Sequence, residues 1–312
     1  AAVARTVLTR RRALTAVAPE LRHPLLLLPL HLGSRTLLRL MTSVPAQPTT
    51  PVPGVTVTRR LAPARGLAQV DGTAQVDGTA RDSTARRDGT ARGDGPAGGD
   101  GPPVPVYVYE PDGRDRPSGA LLWIHGGGFV LGDPVTWHDT CSRLAAELGV
   151  VVVSPGYRLA PDHPFPAALD DCHSALTWLH AEAEALGVDP GRVAVAGQSA
   201  GGGLAASLAQ RAHDQGGTPI AFQALSYPML DDRTVLRTHH RGTGTFVWSP
   251  VSNRFGWTSY LGHEPRTATP PPYAAAARRA DLRGLPPAWI GVGSVDLFHA
   301  EDVEYARRLE EA

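Results

Sequence analysis

The chain has 312 residues, 42% of them hydrophobic, and its 30 basic residues balance 30 acidic ones. The length allows one large hydrophobic core or two small ones. Because the charges balance, electrostatics gives no reason to expect a nucleic-acid partner or an anionic membrane. Two cysteines, Cys141 and Cys172, make neither a disulfide framework nor a metal-site spacing. We therefore expect no metal and a reducing, cytoplasmic location.

The N-terminal third divides into two parts. Residues 1–60 hold one or two helix-like stretches and a proline-rich link, and their apolar run, Pro24–Leu32, is too short to span a bilayer. Residues 61–103 are a degenerate Asp-Gly-Thr-Ala repeat with too few large apolar side chains to offset its chain entropy. We expect a disordered insertion, since the irregular spacing argues against a calcium-binding β-roll.

Residues 104–312 have the pattern of one globular domain, in which short apolar strands alternate with helices. This alternation predicts an α/β fold, with a mostly parallel sheet covered by helices on both faces and the active site at the C-terminal ends of the strands. The predicted strands cover 104–109, 120–125, 150–155, 192–197, 220–228 and 287–293. The predicted helices cover 136–148, 166–185, 199–213, 250–261 and 300–311.

The segment RVAVAGQSAGGG places Ser199 on a tight turn between a strand and a helix. Gly197, Ser199 and Gly201 form the pattern G-x-S-x-G, which in this context is typical of a serine nucleophile exposed at a helix N-terminus. A glycine-rich turn that binds phosphate, or nothing, is the alternative. The sequence therefore indicates Ser199 as a catalytic candidate.

A second glycine-rich segment, WIHGGGFVLGD over 123–133, also follows a buried strand. Its glycines allow close approach of the backbone to a ligand, so the N–H groups of Gly126, Gly127 and Ala200 predict an oxyanion hole with three donors. His125 is expected to be a structural residue at the base of this loop.

Four motifs in this order resemble the hormone-sensitive-lipase-like family of α/β-hydrolases, which includes many bacterial carboxylesterases. The resemblance implies an α/β-hydrolase fold with a small N-terminal cap, hydrolysis of short-chain acyl esters without a cofactor, and a small-molecule ester as partner; a homodimer is left open. The chain departs from the family where Gln198 replaces a frequent aspartate. The motifs are HGGGF (125–129), YRLAPDHPFPAALDD (157–171), GQSAGG (197–202) and GSVDLFHAEDVEYARRL (293–309).

The resemblance makes Asp296 the triad acid that orients a histidine; a helix N-cap is the alternative role. After Asp296 the sequence holds one histidine, His299, which is too close to bridge Asp296 and Ser199. We therefore expect the base beyond Ala312, the last strand and helix of the fold to be absent, and this chain to be nearly inactive. Weaker candidates are Asp170, Asp171, Asp231 and Asp232 for the acid and His239, His240 and His263 for the base.

Two other functions remain open from the sequence. One is a non-catalytic small-molecule-binding protein on the same fold, since a fold does not fix a function. The other is an amidase or peptidase with the same triad. Six side chains are candidates for either the pocket or the core: Phe129, Val130, Leu131, Tyr227, Phe246 and Trp248.

Overall fold

The structure, a computed structural model, describes residues 10, 13–19, 22, 31–64, 101–240, 242–266 and 268–312. Its strands are β1 (Val55–Ala62), β2 (Val104–Pro111), β3 (Ser118–Ile124), β4 (Val151–Pro155), β5 (Val188–Gln198), β6 (Phe222–Ser226) and β7 (Ala288–Gly291). Its α-helices are α1 (Arg35–Thr42), α2 (His138–Leu148), α3 (Ala167–Ala181), α4 (Ala183–Leu186), α5 (Ala200–Gln215), α6 (Pro250–Leu261) and α7 (His299–Glu311).

The described strands form one sheet of seven in the order β1-β2-β4-β3-β5-β6-β7. Strands β4, β3, β5, β6 and β7 are parallel, whereas β2 is antiparallel to both β1 and β4. Parallel neighbours need crossover connections, which the helices between them provide. The predicted α/β-hydrolase architecture with a mostly parallel sheet is confirmed.

Side chains alternate between the two faces along the central strands. Val151 and Val153 join the larger core cluster with residues of α3 and α5, whereas Val152 joins a smaller cluster with Cys141 and Ala145 of α2. Both faces are therefore buried, which explains why these strands appear in the sequence as continuous apolar runs.

The sheet begins earlier in the chain than the sequence predicted. Val55–Ala62, divided in the prediction between a helical segment and the insertion, forms β1 and pairs along its whole length with β2. As an edge strand it keeps several side chains exposed, including Arg59 and Arg60, so it lacks the apolar run that marked the other strands. Most of the predicted insertion, residues 65–100, lies outside the described residues, as do 1–9 and 23–30.

The described part of the N-terminal segment contacts the hydrolase domain. The backbone N–H of Leu32 donates to Ser252 Oγ of α6 at 3.0 Å, and Leu32 and Leu38 are buried in the larger core cluster. Among the described residues, no helix is both long and apolar enough to cross a membrane.

Candidate active site

Ser199 lies on the turn between β5 and α5, at the C-terminal edge of the parallel strands. Its backbone has φ 54° and ψ −121°, a conformation that costs energy for any residue with a side chain. The turn is held by the Ser199 N–H, which donates to the Ser226 carbonyl at 2.9 Å, and by the Ser199 carbonyl, which accepts from Gly203 and Met229. These contacts fix the serine hydroxyl at a cavity that Ser199 lines.

The two glycines of G-x-S-x-G are required by close packing around the turn. A Cβ on Gly197 would lie 2.4 Å from the Gly201 carbonyl oxygen, and a Cβ on Gly201 would lie 2.1 Å from the carbonyl oxygen of Ile124. The backbone of helix α5 therefore packs directly against the backbone at the end of β3, with no room for a side chain between them. This approach places the start of the helix beside the segment that the sequence predicted as the oxyanion loop.

The predicted oxyanion loop follows β3 and also lines the cavity. Among the described residues, the N–H groups of Gly126 and Gly127 have no backbone partner. Gly127 has φ 128°, and a Cβ there would lie 2.0 Å from the Leu131 carbonyl oxygen. The geometry thus leaves two backbone donors beside Ser199, as an oxyanion hole needs.

His125 is buried at the base of this loop and holds its shape. Its Nδ1 is 2.8 Å from the Gly126 carbonyl oxygen, its ring stacks on Tyr157 at 4.3 Å, and the Tyr157 hydroxyl donates to the His125 carbonyl. Burial lowers the pKa of His125 to about 4. The neutral ring therefore donates from Nδ1 to Gly126 and is a structural residue, not a base.

Asp296 follows β7 and lines the same cavity as Ser199. Its Oδ1 accepts a hydrogen bond from the Phe298 N–H at 2.9 Å, so the carboxylate also stabilises the turn that leads into α7. Burial raises the pKa of Asp296, and it is the one carboxylate among the described residues that line the cavity. The structure therefore brings Ser199, the predicted oxyanion loop and Asp296 to one place.

The other acidic candidates have structural partners away from the cavity. Each forms an ion pair with an arginine at 2.7–2.9 Å. Their carboxylates are therefore engaged in holding loops and helices together. The pairs are Asp170–Arg211, Asp171–Arg158, Asp231–Arg233 and Asp232–Arg278.

The cavity has a volume of about 560 Å³ and is lined mainly by apolar side chains. Of the six pocket candidates, Leu131, Tyr227, Phe246 and Trp248 line it, whereas Phe129 and Val130 are buried in the core, Phe129 against Tyr260. Seven further apolar or hydroxyl side chains line the cavity that the sequence did not predict, because loop positions carry no periodic signal. They are Val17, Thr136, Trp137, Val247, Val295, Leu297 and Phe298.

No histidine of the described residues lines the cavity. His299 begins α7, three residues beyond Asp296. His240 is partly buried in the irregular segment before α6, and His263 contacts the Glu264 carbonyl at the end of that helix. The described chain thus presents a serine, backbone donors and a carboxylate, without a base at the cavity.

The chain is similar in sequence to known α/β-hydrolases. Residues 121–312 match a family model described as the alpha/beta hydrolase fold. The esterase LipI of Mycobacterium tuberculosis is 39% identical over 203 residues, which are 65% of this chain and 62% of that protein. An ethyl acetate hydrolase of Pseudomonas putida is 37% identical over 219 residues, 67% of this chain and 66% of that protein. The chain thus spans less than two thirds of the length of these relatives.

A solved structure shares the fold and part of the sequence. The esterase LipW from Mycobacterium marinum superposes with a TM-score of 0.65 and 35% identity, over 83% of this chain and 69% of that chain.

Proposed function

Because the chain belongs to the hormone-sensitive-lipase-like family of α/β-hydrolases, we propose that it is a serine carboxylesterase. The reaction is hydrolysis of short-chain acyl esters through an acyl-enzyme, without a cofactor. One observation supports this proposal: Ser199, two backbone N–H donors without a backbone partner among the described residues, and Asp296 all line one apolar cavity. The names of the relatives, an esterase and an ethyl acetate hydrolase, favour small esters.

Ser199 is the proposed nucleophile. Its oxygen attacks the ester carbonyl, and the carbonyl oxygen becomes an oxyanion that accepts from the N–H groups of Gly126, Gly127 and Ala200. Ala200 is the first residue of α5, so its N–H has no acceptor within the helix and the helix dipole favours negative charge there. Collapse of the intermediate expels the alcohol and leaves the acyl group on Ser199, from which water removes it.

Asp296 is proposed to orient the histidine base and stabilise its protonated form. Since no described histidine lines the cavity, we propose that the 312 residues alone hydrolyse esters slowly. A serine hydroxyl without a base is a weak nucleophile at neutral pH, and the remaining groups supply only a small part of the full rate.

Hydrolysis of p-nitrophenyl butyrate by the 312-residue chain, with and without added imidazole, tests this assignment. We subtract the rate of each solution without protein, because imidazole itself hydrolyses this ester. We then expect a low rate that Ser199→Ala abolishes, and an increase of about tenfold or more with imidazole, because a free base can take the serine proton. Ser207→Ala is the matched control, since it changes a buried serine of the same helix that does not line the cavity.

Two results would contradict the proposal. An imidazole-dependent rate above that of imidazole without protein, if it persists in Ser199→Ala, would show that Ser199 is not the nucleophile. A full esterase rate without imidazole would show that a base lies within these residues.

A non-catalytic binding protein is the second candidate, favoured by the cavity without a described histidine. It predicts ester binding with no Ser199-dependent rate at any imidazole concentration. An amidase predicts instead that p-nitrobutyranilide is also turned over at a Ser199-dependent rate, under the same conditions.

A further inference from the structure

Gln198 and Tyr227 form a hydrogen-bonded pair beside the nucleophile that the proposed mechanism does not use. Both residues line the cavity with Ser199. The Tyr227 hydroxyl donates to Gln198 Oε1 at 3.0 Å. Gln198 precedes the nucleophile directly in sequence, and Tyr227 follows β6, the neighbouring strand.

The pair is held in a fixed orientation. Tyr227 has φ 38°, an uncommon conformation for an aromatic residue, and its backbone N–H donates to the Gly291 carbonyl at 2.6 Å. The Gln198 side chain lies against Gly126, where a Cβ would come within 3.3 Å of Cγ and 3.4 Å of Nε2. The acceptor end of the carboxamide therefore points to Tyr227, and its donor end lies beside the first glycine of the oxyanion loop.

The donor end of Gln198 is unused. Nε2 makes no hydrogen bond to another described residue, although a carboxamide nitrogen carries two N–H donors. The pair is also uncharged, so it adds no second negative charge to a cavity that already holds Asp296. A ligand group that accepts a hydrogen bond is the chemical complement of such a surface.

We propose that Gln198, oriented by Tyr227, is a specificity-determining residue whose Nε2 binds a second oxygen acceptor of the substrate close to the scissile carbonyl. The preferred substrates are then small neutral esters with a keto or ether oxygen in the acyl or the alcohol part. This inference rests on the proposed esterase function for its substrate class.

Ligand binding to the Ser199→Ala chain, measured by titration calorimetry, tests the inference without hydrolysis. Two matched pairs differ by one oxygen: ethyl 3-oxobutanoate against ethyl butanoate, and 2-methoxyethyl butanoate against butyl butanoate. We expect at least one oxygen-bearing ester to bind about fivefold more tightly than its partner, the change expected for one neutral hydrogen bond. Gln198→Glu should abolish this preference, because a carboxylate repels the acceptor and has no N–H.

Gln198→Met is the second variant, since it removes both donors at similar volume, and melting curves identify which variants fold. Gln215→Glu is the matched control at the far end of α5, about 24 Å from Ser199, and should keep the full preference. Tyr227→Phe should reduce the preference, because it frees the carboxamide to turn.

The inference is wrong if neither pair shows a preference, or if the preference survives in a folded Gln198 variant. If a Gln198 variant bound all four esters more weakly by the same factor, that result would also contradict the inference, since it would indicate that Gln198 has a structural role. Because binding needs no base, a preference without Ser199-dependent hydrolysis would overturn the proposed function, whereas the role of Gln198 in ligand binding would still hold.

Discussion

Replacing Gly201 by alanine is expected to lower the free energy of unfolding by about 3 kcal/mol or more and to abolish any Ser199-dependent reaction. The new Cβ would lie 2.1 Å from the Ile124 carbonyl oxygen and 2.4 Å from that of His125. Neither contact can be relieved by a side-chain rotation, because both partners are backbone atoms. Helix α5 must therefore move away from β3, which separates Ser199 from the oxyanion loop.

Gly293→Ala is the matched control. Gly293 also lines the cavity, but nothing lies within 4 Å of the position of its Cβ, so we expect a change within about 0.5 kcal/mol. Urea unfolding followed by circular dichroism measures both variants. Equal stability of Gly201→Ala and the original chain would contradict the packing described around the nucleophile.

The second large effect is expected from Asp302, a buried carboxyl on α7. The residue is 0% exposed, and neither of its oxygens has a hydrogen-bond partner among the described residues. Burial raises its pKa to about 10, with further contributions from Glu301 and Asp296. Glu301 is also buried, and burial raises its pKa to about 8 although it accepts from the Leu230 and Asp231 N–H groups.

The folded chain therefore binds more protons than the unfolded chain between about pH 5 and pH 8, so its stability falls as the pH rises through this range. Asp302→Asn removes the contribution of Asp302. The stability of the variant relative to the original chain should therefore be about 4 kcal/mol higher at pH 8 than at pH 5. Urea unfolding at the two pH values measures this difference.

Glu304→Gln changes an exposed carboxylate on the same helix, which pairs with Arg307, and should leave the pH dependence unaltered. The prediction fails if Asp302→Asn and Glu304→Gln show the same pH dependence as the original chain.

Much of the fold was predictable because its signals are local. Strands β3 and β4 and the second half of β5 are apolar on both faces, and the turn around Ser199 needs glycine at Gly197 and Gly201 for the steric reasons that the structure shows. Strand β1 was missed because an edge strand with exposed arginines has the composition of a surface segment. Its pairing with β2 depends on contacts across about fifty residues of sequence, which no local pattern reports.

The candidate site was predictable only in part. Ser199, Gly126 and Asp296 carry motif signals, whereas the walls of the cavity come from loops. Trp248, for example, packs its ring where a Cβ of Gly128 would lie, a contact between distant segments. The Gln198–Tyr227 hydrogen bond joins the ends of neighbouring strands, so the sequence showed the unusual glutamine but not its partner.

Mass spectrometry of the intact chain after incubation with p-nitrophenyl butyrate and imidazole tests directly whether Ser199 is a nucleophile that accepts the acyl group. We expect the addition of one butyryl group, located on Ser199 by peptide mapping and absent from Ser199→Ala. Hydroxylamine should remove it, as expected for an ester bond. A folded chain that stays unmodified, or that carries the butyryl group on another residue, would contradict the claim.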